Sequence, residues 1–80
     1  MKLLNNVNEA KVLNNIVEHR TGSIWLENSK GVRYDLASRM TRDILFAEIL
    51  TGYADDYEIY ASTREDISAL IHFFGARAAA

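Results

Sequence analysis

Two short stretches in which apolar and polar residues alternate, separated by a turn, constrain the fold of this chain more than any other feature. The first, residues 23–27, directs Ile24 and Leu26 to one side of a strand and Trp25 to the other. The second, residues 32–36, alternates in the same way. Asn, Ser, Lys and Gly at 28–31 are typical of a turn. The sequence therefore predicts a β-hairpin.

Three runs with apolar residues three and four positions apart predict helices around this hairpin. The first, 9–19, follows Asn6, which has capping-box spacing to Glu9, and we expect Gly22 to end it in a left-handed turn. Its expected buried stripe is Ala10, Val12, Leu13, Ile16 and Val17. The second run, 39–50, follows Ser38 and stops at Gly52; its apolar ridge is Met40, Ile44 and Ala47, with Leu45 and Ile49 beside it.

The third helix is predicted to start at the capping box Ser62-Thr63-Arg64-Glu65 and to bury Ile67, Leu70, Ile71 and Phe74. Strands are also expected over 2–5 and over 57–61, which makes the element order β-α-β-β-α-β-α. We expect a two-layer α+β open-faced sandwich, with a four-stranded, mainly antiparallel sheet and three helices on one face. The chain is long enough for one domain, 1–80, and 76–80 are expected to be a frayed helix end or a disordered tail.

Composition argues against several classes of function. The formal net charge is -2 and the basic residues are scattered, so we expect no nucleic-acid partner. No apolar run is long enough to cross a membrane, and the lack of cysteine favours a cytoplasmic setting without thiolate chemistry. His19 and His72 are far apart in sequence, so we expect no metal site, and nothing indicates a cofactor. No acid, base and nucleophile stand in a catalytic pattern, and we therefore expect no enzymatic activity.

The element order, Gly31 followed seven residues later by Ser38, and the later Gly52 resemble the histidine phosphocarrier protein of the sugar phosphotransferase system, usually called HPr. The likeness extends over almost the whole chain. It implies the sandwich described above, and it implies a regulatory phosphate on the serine at the position of Ser38. It also implies partner docking on the surface around that serine, although the family has an apolar residue where this chain has Arg39.

The site of phosphoryl transfer departs from the family. Where HPr has a Gly-Leu-His-x-Arg-Pro-Ala type motif before its first helix, residues 5–10 read Asn-Asn-Val-Asn-Glu-Ala. Asparagine does not accept a phosphoryl group in place of histidine, and Glu9 adds negative charge there. We therefore expect an HPr-like regulatory or interaction module without phosphocarrier activity. Two alternatives remain: a phosphocarrier that uses His19, and an unrelated small α+β adaptor that shares only the architecture.

Two surfaces are candidate sites. On the second helix, Ser38 is either an N-cap or a phosphorylation site with Arg39 and Arg42 nearby, and a protein partner is expected to contact Arg39, Met40 and Ile44. On the open face of the sheet, Trp25 and Tyr60 form either a partner or homodimer interface, or a surface that Arg33 shields within one copy.

Overall fold

The computed structural model describes residues 3–53 and 56–79, with side chains up to residue 76. The helices are α1 (Val7–Glu18), α2 (Arg39–Leu50) and α3 (Arg64–Ala79). The strands are β1 (Ile24–Glu27), β2 (Arg33–Asp35) and β3 (Glu58–Ala61). The α+β class, the three helices and the hairpin are thus confirmed, and α3 continues into the expected tail.

The predicted first strand is not confirmed. Leu3, Leu4 and Asn5 form no strand, and Lys2 lies outside the described residues. The leucines are nevertheless buried in the core, so their apolar character reflects burial without sheet pairing. Asn5 is also committed to the start of α1, because its backbone N–H donates to the Glu9 carboxylate at 2.8 Å.

The three strands form one antiparallel sheet in the order β2-β1-β3. Its inner face presents Ile24 and Leu26, which are fully buried, and the helices cover this side. Its outer face presents Trp25, where the register places Asp35 on one neighbouring strand and Tyr60 on the other. The alternation in the sequence therefore assigns the two faces correctly.

The core lies between the inner sheet face and the helix layer. α1 packs against both α2 and α3, and α3 also packs against β3. The side chains with essentially no exposed surface come from both layers: Leu4, Leu13, Val17, Ile24, Leu26, Leu36 and Ile49. Burying each of these contributes about 1.5–3 kcal/mol, so seven such residues are a large share of the hydrophobic stabilisation of so small a domain.

The ends of the helices follow the local sequence, with one shift. Asn6 caps α1 by accepting the N–H of Glu9 at 2.9 Å. Gly52, with a φ of 76°, ends α2 in a Schellman motif, in which Gly52 and Tyr53 donate to the carbonyls of Ile49 and Glu48. The capping pair of α3 is one residue later than predicted: the side chain of Thr63 accepts the N–H of Asp66 at 3.2 Å.

Gly22 does not form the expected left-handed turn, because its φ is not positive. α1 already ends at Glu18, with His19 as its C-cap, and Gly22 follows in the loop that leads to β1. The glycine is required by close packing instead. A Cβ at this position would lie 2.5 Å from Cγ2 of Thr63 and 2.6 Å from Oγ of Ser62, so a larger residue would push the loop away from the start of α3.

Several apolar positions predicted to be buried are exposed. In α1, Val12 is exposed, whereas Leu13 and Val17 form the buried stripe. In α3, Leu70 is buried as predicted, but Ile67 and Ile71 are 43% and 67% exposed, because the helix turns Phe73 toward the core in their place. A wide apolar arc shows that a helix is amphipathic, but it does not show which part of the arc meets its neighbours.

Candidate functional site

Ser38 caps α2, and its hydroxyl accepts the N–H of Thr41 at 3.3 Å. The side chain is exposed at the helix start, as is that of Arg39. This geometry agrees with the capping role predicted for Ser38. It also leaves the hydroxyl accessible, so that a regulatory role stays a prediction.

The side chain of Arg42 points away from the Ser38 hydroxyl, contrary to expectation, although its backbone N–H donates to the Ser38 carbonyl at 3.0 Å. Its side chain is only 5% exposed, and Nη1 donates to Oδ1 of Asn14 on α1 at 2.7 Å. Among the described residues, the Nε of Arg42 has no hydrogen-bond partner. Arg42 therefore joins α2 to α1 inside the protein, and of the two arginines expected near Ser38 only Arg39 lies at the surface there.

The surface of α2 that faces away from the core is partly apolar. Leu45, Phe46 and Ile49 point inward, whereas Met40 and Ile44 are 73% and 53% exposed. Ile44 borders a groove of about 310 Å³, lined by Tyr34, Thr41, Ile44, Leu45, Glu48 and Tyr57. The predicted interaction residues on α2 are all exposed: Arg39 at the helix start, and Met40 and Ile44 one turn apart on the outward side. We call the surface formed by these three residues the α2 surface.

The open sheet face is covered by its own side chains. The guanidinium carbon of Arg33 lies 3.7 Å above the ring of Trp25, and this ring stacks on Tyr60 with centroids 5.9 Å apart. The indole N–H donates to Glu27 at 3.1 Å, and the Tyr60 hydroxyl donates to Glu58 at 2.6 Å, which raises the pKa of Tyr60. This geometry favours the alternative in which Arg33 shields Trp25, which is half-buried.

The two histidines lie at different ends of the helix layer. His19 is the C-cap of α1, and its Nδ1 is 2.8 Å from the carbonyl oxygen of Asn15. Because a carbonyl only accepts, Nδ1 is the donor in this hydrogen bond. His72 is exposed on α3 beside Val12 and Phe73. His19 lies at the C-terminal end of α1, away from the unpaired backbone N–H groups that suit a phosphoryl group. His72 shares the lining of a groove of about 460 Å³ with Asn6 and Glu9 at the start of α1, where the Glu9 carboxylate adds negative charge.

A second apolar surface was not predicted. Ile67 and Ile71 of α3 border an open groove of about 610 Å³ along β3, which is lined by Ile59, Tyr60, Ala61, Ile67, Leu70, Ile71, Phe74 and Gly75. We call this the α3–β3 groove. The sequence does contain a signal for this groove. Because Phe73 and Phe74 are both apolar, the apolar arc of α3 is wider than contact with one neighbouring element requires.

A polar cluster joins the loop between α1 and β1 to the start of α3. The carboxylate of Asp66 is 4% exposed and accepts the backbone N–H groups of Thr21 and Gly22, each at 2.9 Å. Burial is the largest single effect on the pKa of Asp66, and by itself it would raise this pKa. The two backbone hydrogen bonds, with those from the side chains of Thr63 and Thr21, together outweigh burial, so the pKa is lowered. The cluster satisfies a buried charge and is a structural link.

Comparison of the chain with protein-family models, curated proteins and solved structures found no match. Within residues 3–53 and 56–79, no three His, Cys, Asp or Glu side chains are grouped so that they can hold a metal ion. None of the described helices combines the length and the apolar character needed to cross a membrane. The described residues form a small α+β open-faced sandwich that exposes the α2 surface and the α3–β3 groove.

Proposed function

We propose that this chain is a non-enzymatic, HPr-like protein-interaction module that binds a partner protein through the α2 surface and does not carry a phosphoryl group. The observation that supports the binding role is the exposure of Met40 and Ile44 on a helix whose opposite face already fills the core. Exposed apolar side chains grouped on one surface are typical of protein interfaces. Arg39 at the edge of this surface favours a partner with an apolar centre and a carboxylate at its rim.

The start of α1 supports the absence of carrier chemistry. The N–H groups that a phosphohistidine would need are partly taken by the protein itself, since Asn6 accepts from Glu9 and the Glu9 carboxylate accepts from Asn5. A phosphoryl group placed there would meet this carboxylate. His19, the acceptor in the alternative proposal, contacts a carbonyl oxygen at the opposite end of the same helix.

Phosphotransfer is tested by incubating the protein with the general phosphotransferase enzyme and labelled phosphoenolpyruvate. We expect no label, with a true phosphocarrier as the positive control. Acid-labile phosphate that disappears in His19→Ala but persists in His72→Ala would overturn this part of the proposal and establish the alternative.

Binding is tested with a photo-crosslinking amino acid at position 40, in extracts of the organism that encodes the protein. The matched control places the same amino acid at position 30, in the exposed hairpin turn. We expect a discrete adduct at position 40 that Ile44→Asp removes, and none at position 30. The same adducts at both positions, or an adduct that Ile44→Asp leaves intact, would refute the α2 surface as the binding site.

A further inference from the structure

The backbone of β3 presents unpaired groups on one side. In the described part of the chain, β3 has a neighbouring strand, β1, on one side only. Ser62 donates to the carbonyl of Ser23 at 3.0 Å, and in an antiparallel ladder every second residue bonds to the same neighbour. The backbone N–H and C=O groups of Tyr60 and Glu58 therefore also point toward β1. Those of Ile59 and Ala61 point outward, away from the sheet.

The α3–β3 groove lies directly beside this free edge. Ile67 and Ile71 rise above the groove as exposed apolar side chains, and Ile59 lies in its floor. Gly75 also lines the groove, and a Cβ at this position would have nothing within 4 Å. Glycine inside a helix costs about 1 kcal/mol relative to alanine. Because a side chain at position 75 would meet no atoms of the same copy, packing within one copy does not explain the glycine. An open strand edge next to an apolar helix face is suited to the addition of another strand.

The distribution of charge indicates that the added strand belongs to a second copy. Arg64 lies near one end of β3, three residues before Ile67 on α3, while Glu58 begins the strand at its other end. Asp56, just before the strand, already accepts the N–H and the hydroxyl of Ser29 within the same copy. An antiparallel, two-fold pairing centred on Tyr60 brings Glu58 toward the partner's Arg64. A parallel pairing would set Glu58 beside the partner's Glu58 and would be repulsive.

We infer that two copies of this chain associate through the free edge of β3 and the α3–β3 groove, as an antiparallel two-fold dimer. The two three-stranded sheets then form one continuous sheet, and Ile67 and Ile71 of each copy cover the groove of the other. This interface is separate from the α2 surface, so the proposal does not depend on the proposed function.

Sedimentation equilibrium of the purified chain, up to millimolar concentration, tests the association. We expect a mass of two copies, and we expect Ile71→Asp to raise the dissociation constant at least about tenfold, which corresponds to about 1.4 kcal/mol. Met40→Asp is the matched control, because Met40 is equally exposed but lies on α2, and it should leave the mass unchanged. A mass of one copy throughout, or equal effects of both variants, would overturn the inference.

A cysteine scan tests the register without depending on how the Ile71 variant folds. The chain has no cysteine, so Tyr60→Cys introduces a single thiol on the proposed two-fold axis. Residues opposite each other in a non-hydrogen-bonded pair have Cα atoms about 4.5 Å apart, within the range of a disulfide. Under mild oxidation we expect rapid covalent dimers from Tyr60→Cys and few from Asp35→Cys on the opposite edge strand. Equal yields would exclude this edge.

Reversing the charges tests the orientation. Arg64→Glu should weaken the dimer, because the introduced carboxylate then faces the Glu58 carboxylate of the other copy. Adding Glu58→Arg to this variant should restore much of the affinity. A double variant that is weaker than either single variant would exclude the antiparallel arrangement.

Discussion

Replacing Asp66 with alanine should lower the free energy of unfolding by about 3 kcal/mol. The buried carboxylate is the acceptor for the N–H groups of Thr21 and Gly22, and each unsatisfied buried donor costs about 1–3 kcal/mol. Domains of this size have a total stability of about 5–15 kcal/mol, so the loss is a large fraction. The melting temperature should fall by about 15 °C.

The matched control is Glu65→Ala, which removes the same charge from the same first turn of α3 at an exposed position. Urea unfolding of the wild type and both variants at pH 7, followed by the fluorescence of the single tryptophan, measures the difference. We expect Glu65→Ala to cost less than about 0.5 kcal/mol. Equal losses in the two variants would refute the reasoning, because general helix electrostatics would then explain both.

The pH dependence provides a further check on Asp66. The pKa of this carboxyl is lowered in the folded protein, so its contribution is fully present above the pKa of the unfolded chain, which is about 3.9. The contribution is lost as the pH falls through the folded pKa. The stability difference between wild type and Asp66→Ala should therefore be constant near neutral pH and should shrink below about pH 4. A difference that instead shrinks as the pH rises toward 7 would contradict the assignment.

Three further predictions concern stability. Gly22→Ala should destabilise the protein by about 2 kcal/mol, because the added Cβ clashes with the start of α3. Gly75→Ala should stabilise the protein by about 0.5–1 kcal/mol, because its Cβ lies in open space. Equal effects of the two variants in urea unfolding would refute the packing argument. Arg42→Met should change the stability by less than about 1 kcal/mol, because the lost hydrogen bond to Asn14 is offset by removal of a buried Nε that has no partner among the described residues; a loss above about 2 kcal/mol would contradict this. Arg33→Ala should cost less than about 1 kcal/mol and shift the Trp25 emission to longer wavelength, while Arg33→Lys should shift it less; an unchanged spectrum would show that Arg33 does not cover the ring in solution.

Much of the fold could be predicted from the sequence because periodicity reports local geometry. The hairpin, the three helices and the two faces of the sheet follow from residue spacing, and the helix ends at Asn6 and Gly52 follow from their side chains. The segment 2–5 shows the limit of this reasoning. Two leucines suit a strand and a buried coil equally well, and only the surrounding structure decides between them.

The surfaces were harder to predict because they depend on residues distant in sequence. Arg42 is buried through a hydrogen bond to Asn14, 28 residues earlier, and a charged side chain near a helix start gives no local sign of this. Ile71 continues an apolar stripe and is therefore predicted to be buried, but α3 presents Phe73 to the core beside the correctly predicted Leu70. The exposure of Met40 and Ile44 follows from their place on α2, and binding at the α2 surface stays a prediction, whereas the α3–β3 groove depends on how two elements meet.

The link between Asp66 and the loop after α1 joins residues 44 and 45 positions apart in sequence. The amide hydrogens of Thr21 and Gly22 lie in a loop, where exchange with solvent is ordinarily fast, yet their acceptor belongs to the last helix. Exchange of these two hydrogens requires the loop and the start of α3 to separate, so their exchange rates measure how firmly those two segments are joined.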